Sequence, residues 1–433
     1  MSFDWLPFTE LLSAIVDNRG RTCPVGDTGI PLIATNCIDA GSLYPRYDTT
    51  RYVSDETYNT WFRGHPKPGD ILFVCKGSPG RTNWVPDPVD FCIAQDMVSV
   101  RANPEKIYPK YLFAALRSSE VQSQIDNMHV GTMIPHFKKG DFGKLNIPVP
   151  SRNVQQIIGD FYFSLSERIT LLRETNATLE AIAQALFKSW FVDFDPVRAK
   201  QEGRAPEGMD EATAALFPDA FEESELGLVP KGWRWVVLEE AYWINPPRKL
   251  KKGASAPYID MSSVPTQGHS PEIPTLREHG SGSKFQNGDT LLARITPCLE
   301  NGKSAFVDCL DDGQIAWGST EFIVLKPKPP LPDYHAYLLC RHPAFREYAI
   351  QSMSGTSGRQ RVQNDVLGRF MIALPDTSIA EAFGAQVLAI QQKIAENHQQ
   401  AQTLATLRDT LLPRLISGQL RLPEAESLIA ECA

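Results

Sequence analysis

The sequence predicts an α+β fold in which two similar mixed α/β units are separated by a long antiparallel two-helix coiled coil. Three observations predict it. Two stretches about 225 residues apart carry seven-residue apolar repeats, each stretch begins just after a proline, and the mixed stretches before them share short motifs in the same order. We therefore expect a pseudo-two-fold internal repeat, in which each copy is a mixed globular piece followed by a long helix.

The first long helix is predicted over residues 151–192. Apolar residues recur at every seventh position in one row, and a second row four residues further on has the same period. Ser151 follows Pro150 and can accept a hydrogen bond from the first free amides of the helix. A helix with one apolar stripe needs a partner that covers it. The two rows are Ile158, Leu165, Leu172, Leu179 and Leu186, and Tyr162, Ile169, Asn176, Ala183 and Trp190.

The second long helix, predicted over residues 376–421, is the candidate partner. Its apolar rows contain one asparagine, Asn397, as those of the first helix contain Asn176. An antiparallel pairing of the two asparagines brings the other layers into register, whereas a parallel pairing leaves both amides without a matching partner. Arg408 then falls opposite Leu165, and we expect its stem to pack while its head reaches solvent. Two ordinary core-packing helices are the alternative.

Matching motifs place the remaining boundaries. Gly69-Asp70 precedes a buried apolar strand as Gly288-Asp289 does, and residues 142–150 parallel residues 367–375. The predicted organisation is a first mixed α/β domain at 1–150, the first helix at 151–192, an acidic linker at 193–230, a second mixed domain at 231–375, the second helix at 376–421 and a tail at 422–433.

The composition limits the function classes. The net charge is −8, but residues 193–230 alone carry 10 acidic and 3 basic groups, and residues 231–375 carry 14 and 17. The mixed domains are therefore nearly neutral, which permits DNA binding without demanding it.

No apolar run has the length of a membrane span. The eight cysteines show no metal-ligand spacing and the start MSFDWLPFTE does not resemble a secretion signal, so we expect reduced thiols and a cytoplasmic protein.

Two motifs that resemble catalytic signatures are incomplete. Residues 245–248, Asn-Pro-Pro-Arg, resemble the core of amino-methyltransferases, but arginine stands where an aromatic residue should stack on the flipped base. Residues 301–304 resemble the end of a phosphate-binding loop, but Pro297 takes the place of the required glycine. We therefore predict no catalytic and no metal site in this chain, which argues against an autonomous methyltransferase, and interpret residues 245–248 as a proline turn.

Two pairs of polar loops are the candidate binding sites. In each unit one loop follows the Gly-Asp strand, and another precedes the last strand. Cations, hydroxyls and amides bond phosphates and base edges, and glycine lets the backbone approach a ligand. A solvated polar loop is the better interpretation for any one residue taken alone, and the recurrence in both units raises binding to an equally good interpretation. The candidate contacts are Lys76, Ser78, Arg81, Asn83, Thr132, His136, Lys138 and Lys139 in the first unit, and Arg294, Thr296, Lys303, Thr356, Arg359, Gln360 and Arg361 in the second.

With these features in place, the chain resembles the specificity subunits of type I restriction-modification systems over essentially its whole length. The most specific match is ALFKSWFVDFDPVRAK at residues 185–200, continuing to LVPKGW at residues 228–233. LLPRLISGQLR at residues 411–421 resembles the closing stretch of the family. In the second unit Arg294 stands where the family often has arginine after the Gly-Asp strand, and in the first unit we assign that place to Lys76.

The resemblance implies two target-recognition domains, each reading one half of a split double-stranded DNA site, with the helix pair as spacer. It implies assembly with two modification (methyltransferase) subunits, which bind S-adenosylmethionine, and with two restriction subunits, which use ATP and Mg²⁺. It also implies that this chain is non-catalytic and binds none of these cofactors itself. A different class of function is the alternative, namely a coiled-coil scaffold that assembles methyltransferase partners without reading DNA.

Overall fold

The computed structural model describes residues 4–18, 22–128, 134–356 and 358–417. It divides into two compact units: unit 1 comprises residues 1–172 and 400–433, and unit 2 comprises residues 173–399. This division passes through both long helices, so it does not test the domain boundaries derived from the sequence, which stay predictions.

Unit 1 packs short helices and small sheets around an apolar core. Its strands are β1 Asp4–Pro7, β2 Leu12–Asp17, β3 Ile30–Ile33, β4 Tyr52–Val53, β5 Ile71–Val74, β6 Thr82–Trp84, β7 Cys92–Ile93, β8 Met97–Ala102 and β9 Asn146–Val149. One sheet has the antiparallel order β2-β8-β5-β6, another has the order β4-β3-β7 with β3 parallel to β7, and β1 pairs with β9. All four residues of β5 are buried. The first candidate loop begins where this buried strand ends.

The helices of unit 1 cover these sheets. They are α1 Asp55–Thr60, α2 Pro109–Leu116, α3 Ser119–Met128, the N-terminal part of α4, which spans Arg152–Phe191, and the C-terminal part of α11, which spans Thr377–Ile416. Short 3₁₀ turns lie at Phe8–Leu11, Thr35–Cys37 and Lys139–Lys144. The Ser54 side chain accepts the Thr57 N–H at 3.2 Å and so caps α1. α2 is almost wholly apolar from Tyr111 to Leu116, and it is buried throughout that stretch because it packs between the sheet and α4 residues such as Phe163.

Unit 2 has the same strand order on its own sheets. Its strands are β10 Phe221–Ser224, β11 Gly227–Pro230, β12 Arg234–Val237, β13 Tyr242–Ile244, β14 Ser255–Ile259, β15 Thr275–Glu278, β16 Ser283–Phe285, β17 Thr290–Ala293, β18 Ser304–Phe306, β19 Ala316–Gly318, β20 Phe322–Pro327 and β21 Met371–Leu374. Its helices are the C-terminal part of α4, α5 Asp195–Gln201, α6 Glu211–Leu216, α7 Leu238–Ala241, α8 Tyr334–Arg341, α9 Pro343–Gln351, α10 Asn364–Leu367 and the N-terminal part of α11 (Thr377–Ile416).

Three sheets of each unit have matching strand orders, whereas the β10-β11 pair of unit 2 has no counterpart among the described strands of unit 1. The order β13-β20-β17-β18 repeats β2-β8-β5-β6, and β15-β14-β19 repeats β4-β3-β7, including the one parallel pairing; unit 2 adds β16 at the edge. The pair β12-β21 repeats β1-β9. The mixed α/β fold class with long paired helices is confirmed, and the matching order is consistent with an internal repeat.

The helices α4 and α11 are each 40 residues long and run antiparallel. In unit 2, Asn397 Nδ2 donates to Asn176 Oδ1 at 2.9 Å, and Asn176 Nδ2 donates to the Ile394 carbonyl at 3.0 Å. In unit 1, the apolar layer closest to the asparagines contains Leu172 and Ala401. The predicted asparagine layer and the antiparallel direction are therefore confirmed. Among the helices in the described ranges, none combines the length and apolar content that crossing a bilayer requires.

The prediction for Arg408 is wrong. Its side chain is buried, with 4% of its surface exposed, instead of reaching solvent. Its Nη1 donates to Ser166 Oγ at 3.3 Å, its Nε donates to Asp409 Oδ1 at 2.8 Å, and the guanidinium lies 5.4 Å from the centre of the Tyr162 ring. The hydroxyl and the aromatic face of α4 satisfy the charged head where it is, so the side chain has no need to extend outward.

The asparagine layer yields a stability prediction. Asn397→Leu should lower the free energy of unfolding by about 1–3 kcal/mol, because Asn176 Oδ1 then lies at a helix interface without its donor. The double variant Asn176→Leu/Asn397→Leu should lose less than the sum of the single variants, since both polar partners are replaced by apolar groups. Urea denaturation of the four proteins measures both effects, and strictly additive losses would contradict the layer.

Candidate nucleic-acid interface

In unit 1 the two candidate loops are joined by backbone hydrogen bonds. The first loop leaves β5 at Cys75, whose carbonyl accepts the Phe137 N–H at 2.8 Å, and the Gly77 N–H donates to the Pro135 carbonyl at 2.9 Å. Between these bonds, residues 76 and 136 face each other in an antiparallel bridge. Folding therefore brings together a lysine and a histidine that lie 60 positions apart in the sequence.

In unit 2 the corresponding loops are joined in the same register. The Arg294 carbonyl accepts the Val362 N–H at 3.0 Å, and the Thr296 N–H donates to the Gln360 carbonyl at 3.1 Å. Thr296 Oγ1 also accepts the Gln360 N–H at 3.1 Å, so the threonine clamps the second loop from both its backbone and its side chain. Ile295 and Arg361 form the bridge between these bonds.

The matched hydrogen bonds correct one assignment. They place Arg294 where unit 1 has Cys75, and they place Lys76 where unit 2 has Ile295. The expectation that Lys76 takes the place of the arginine is therefore wrong by one residue. Successive residues of a strand point to opposite faces, so Lys76 and its neighbour Cys75 point to opposite faces. Cys75, and not Lys76, is the counterpart of Arg294. That counterpart, Cys75, is buried.

A buried aspartate fixes the start of the strand that leads to each first loop. Asp70 is 1% exposed and receives Arg101 Nε at 2.7 Å and Nη2 at 2.8 Å. Asp289 is fully buried and receives Arg248 Nε at 3.0 Å and Nη2 at 2.5 Å. Burial raises the pKa of Asp289, and Arg248 opposes that rise. The Gly-Asp motif is thus a turn locked by an ion pair, although the arginine comes from a different part of each unit.

The incomplete methyltransferase motif has a structural place in unit 2. Asn245 has a left-handed backbone, with φ of 51°, and its Oδ1 accepts the Val324 N–H at 2.8 Å. Arg248 forms the ion pair with Asp289 described above. Within the described ranges, no group of three or more His, Cys, Asp or Glu side chains could hold a metal ion. The segment is consistent with the predicted turn, and its arginine positions the strand that precedes Arg294.

The remaining predicted contacts differ in exposure. Arg81, Lys138, Lys139, Thr356 and Arg359 are exposed, with Lys139 paired to Asp17, and Lys76, Ser78, His136, Arg294, Thr296 and Gln360 are half-buried. Thr132 lies outside the described residues. Each unit therefore presents cations together with hydroxyl, amide or imidazole groups along one bridged pair of loops. This is the set of groups that proteins use to bond phosphate oxygens and base edges.

Known proteins resemble this chain in sequence. Residues 31–181 match the family model described as a type I restriction modification DNA specificity domain.

The chain is similar to the specificity subunits of type I restriction enzymes.

The specificity subunit of the type I restriction enzyme HindI from Haemophilus influenzae is 26% identical, over 82% of this chain and 87% of the relative. The MjaIX specificity subunit from Methanocaldococcus jannaschii is 23% identical, over 77% of this chain and 75% of the relative. A crystal structure of a type I S subunit from M. genitalium covers 95% of this chain and 96% of its own, at 16% identity and a TM-score of 0.49. The resemblance seen in the sequence is confirmed.

Two of the residues predicted as DNA contacts hold neighbouring segments in place. Asn83 is fully buried, its Nδ2 donates to the carbonyls of Asp39 at 3.0 Å and Ser42 at 2.7 Å, and its Oδ1 accepts the Asp39 N–H. Lys303 Nζ donates to the Met261 carbonyl at 2.6 Å. Direct base contact does not fit the position of Asn83, because its amide is already saturated inside the unit.

The sequence alone did not single out an acidic residue that each unit places beside its candidate loops. In unit 2, the Glu321 carbonyl accepts the Arg294 N–H at 3.0 Å, and its carboxylate receives Arg361 Nη2 at 2.6 Å. Arg361 lowers the pKa of Glu321, which therefore stays ionised at neutral pH. In unit 1, Asp96 occupies the matching position and its carbonyl accepts the Cys75 N–H at 2.8 Å. An acidic residue directly before β8 and before β20 was the available signal.

The buried ion pair predicts a large mutational effect. Arg248→Met should lower the free energy of unfolding by about 3–5 kcal/mol, because it leaves the buried Asp289 carboxylate without a counter-charge. Arg204→Met, which removes an exposed partner of Glu202, is the control and should change stability by less than about 1 kcal/mol. Denaturant unfolding followed by tryptophan fluorescence measures both, and equal effects would show that the Asp289 pair is not a structural lock.

Proposed function

We propose that this chain is a specificity subunit that reads a split double-stranded DNA target, with the bridged loops of each unit contacting one half. The observation that carries the proposal is the repetition of one loop architecture with different side chains. Both units join their loops through the same backbone bonds after the same strand, so the scaffold is constant while the presented groups differ. A constant scaffold with variable contacts is what two half-sites of unlike sequence require.

The side chains suggest different chemistry for the two halves. Unit 1 presents Lys76, His136 and Lys138, of which the lysines favour phosphates or guanine as point charges. Unit 2 presents Arg359 and Gln360, residue types that bond guanine and adenine edges through two hydrogen bonds. The half bound by unit 2 should therefore be read more through paired hydrogen bonds, and the half bound by unit 1 more through charge.

The helix pair would set the unspecified spacer and dock the modification subunits. A continuous 40-residue helix rises roughly 60 Å at 1.5 Å per residue, against about 34–36 Å per turn of DNA. We expect half-site centres about one turn of DNA apart. Exposed apolar side chains on the helices, Leu171 in unit 1 and Ile182 and Leu388 in unit 2, are candidates for subunit contacts.

The partners and cofactors follow from the same proposal. The complex would contain two modification subunits with S-adenosylmethionine and, for cleavage, restriction subunits with ATP and Mg²⁺, while this chain contributes no catalytic group. Its net charge of −8 supports a division of labour in which partners supply much of the positive charge for DNA. The cytoplasmic location stays a prediction. The same acidity favours the second candidate, a scaffold that assembles methyltransferases without reading DNA.

The half-site assignment is tested by variants of one loop. With the modification subunits present, Arg359→Ala or Gln360→Ala should relax recognition of one half-site by about 1–3 kcal/mol per lost bidentate contact and leave the other half unchanged. Arg81→Ala in unit 1 is the matched control and should affect only the opposite half. Methylation profiling on randomised duplexes reads out both halves at once. Equal loss at both halves, or no discrimination by the wild-type complex, favours the scaffold.

The spacer role is tested by lengthening the helices. Seven residues inserted into both α4 and α11 add about 10.5 Å of rise, or roughly three base pairs at 3.4 Å each. The preferred spacer should lengthen by about that amount while the letters of both half-sites stay the same. The control is a four-residue insertion, which breaks the seven-residue repeat and should impair assembly. Altered half-site letters after the seven-residue insertion would contradict the spacer role.

A further inference from the structure

The guanidinium of Arg361 is bound to the Glu321 carboxylate through its Nε–Nη2 edge. Its Nε lies 2.8 Å and 3.0 Å from the two carboxylate oxygens of Glu321, and its Nη2 lies 2.6 Å from Oε1. An arginine has five N–H donors in a fixed plane, so this pairing leaves the Nη1–Nη2 edge available. Among the described residues, the contact of Nη1 is a long one, 3.5 Å to the Arg359 carbonyl, and the Arg361 side chain is 39% exposed.

We propose that Arg361 reads a guanine in the half-site bound by unit 2, with Glu321 as the residue that positions it. The free Nη1–Nη2 edge is a planar two-donor fork, and the O6 and N7 atoms of guanine form the matching pair of acceptors in the major groove. The inference rests on the proposed function and deepens it, because it assigns one base to one side chain.

The fixed orientation distinguishes a base reader from a phosphate contact. Arg361 is tied through its backbone to Ser354, with N–O distances of 2.9 and 3.0 Å, and through its side chain to Glu321, so its fork loses little freedom on binding. Glu321 also cancels the charge of Arg361 and repels phosphate, so the pair adds little sequence-independent attraction. Any contribution of Arg361 to DNA binding should therefore come from the geometry of its hydrogen bonds, which discriminates between bases.

Glu321 also couples the two loops of unit 2. Its carbonyl accepts the Arg294 N–H of the first loop, and its carboxylate holds Arg361 of the second. The matching places in unit 1 are taken by Asp96 and His136, and a histidine has no planar fork of two donors on one edge. The guanine contact is therefore specific to unit 2, and unit 1 provides an internal comparison within the same chain.

The test uses the full chain in complex with its modification subunits. The half-site read by unit 2 is first identified as the one that Arg359→Ala relaxes. Each guanine of that half-site is then replaced by 7-deazaguanine, which lacks the N7 acceptor. One such replacement should weaken wild-type binding, and Arg361→Lys should lower the preference for guanine at that position between about 5-fold and 140-fold. The deaza replacement should cost the Arg361→Lys complex little more.

Glu321 is tested by the same readout. Glu321→Gln should reduce discrimination at that guanine alone, and Glu321→Asp, which keeps a carboxylate, should retain more of it. Glu202→Gln removes an exposed carboxylate from a pair with Arg204 and is the charge-matched control, expected to change nothing. Unaltered recognition of the other half-site shows that the variants fold, and the deaza experiment on the wild type needs no variant.

The outcomes separate the inference from the proposed function. A wild-type complex that fails to distinguish its target from a scrambled duplex overturns the proposed function. A wild-type complex that discriminates, but whose unit 2 half-site lacks guanine or has guanines insensitive both to 7-deaza replacement and to Arg361→Lys, overturns the guanine contact alone. If Glu321→Gln reduces base discrimination in both half-sites, Glu321 does not act by positioning Arg361.

Discussion

The structure depends on covering the apolar stripes of two 40-residue helices. In unit 1, Ile158 and Tyr162 of α4 share one core with Leu411 and Leu415 of α11 and with the sheet around β5. In unit 2, residues of α4 and α11 share a second core with α8 and β20. The helices are therefore part of each unit's interior and not a linker added to it. Each unit thus uses one part of both helices to complete its own core.

The asparagine layer adds direction and register to that burial. Apolar side chains alone tolerate shifted or parallel alignments, whereas two amides that bond each other satisfy their donors and acceptors in one alignment only. Arg408 acts in a related way in unit 1, since its buried head needs Ser166 and Asp409 where they lie. Polar groups at the helix interface thus cost some stability and select a single arrangement.

The candidate interface shows a division between fixed and variable parts. Buried ion pairs at Asp70 and Asp289 and the backbone bonds between loops are fixed in both units, although the two arginines involved come from different strands or turns. The exposed side chains on those loops differ between the units. A scaffold held by buried pairs and backbone bonds can change its exposed side chains without losing its fold, which supports the proposed function.

The sequence by itself determined the helices, their antiparallel pairing and the repeated loop positions, because apolar periodicity and polar layers are local properties of the chain. It also supplied the residue types at the interface. Only the tertiary structure decided which of them are available: Asn83 and Lys303 bond backbone carbonyls about 40 residues away, and Arg361 meets Glu321, which no periodicity predicts. A polar side chain's role depends on the partner that folding brings to it, and partners distant in sequence leave no local pattern.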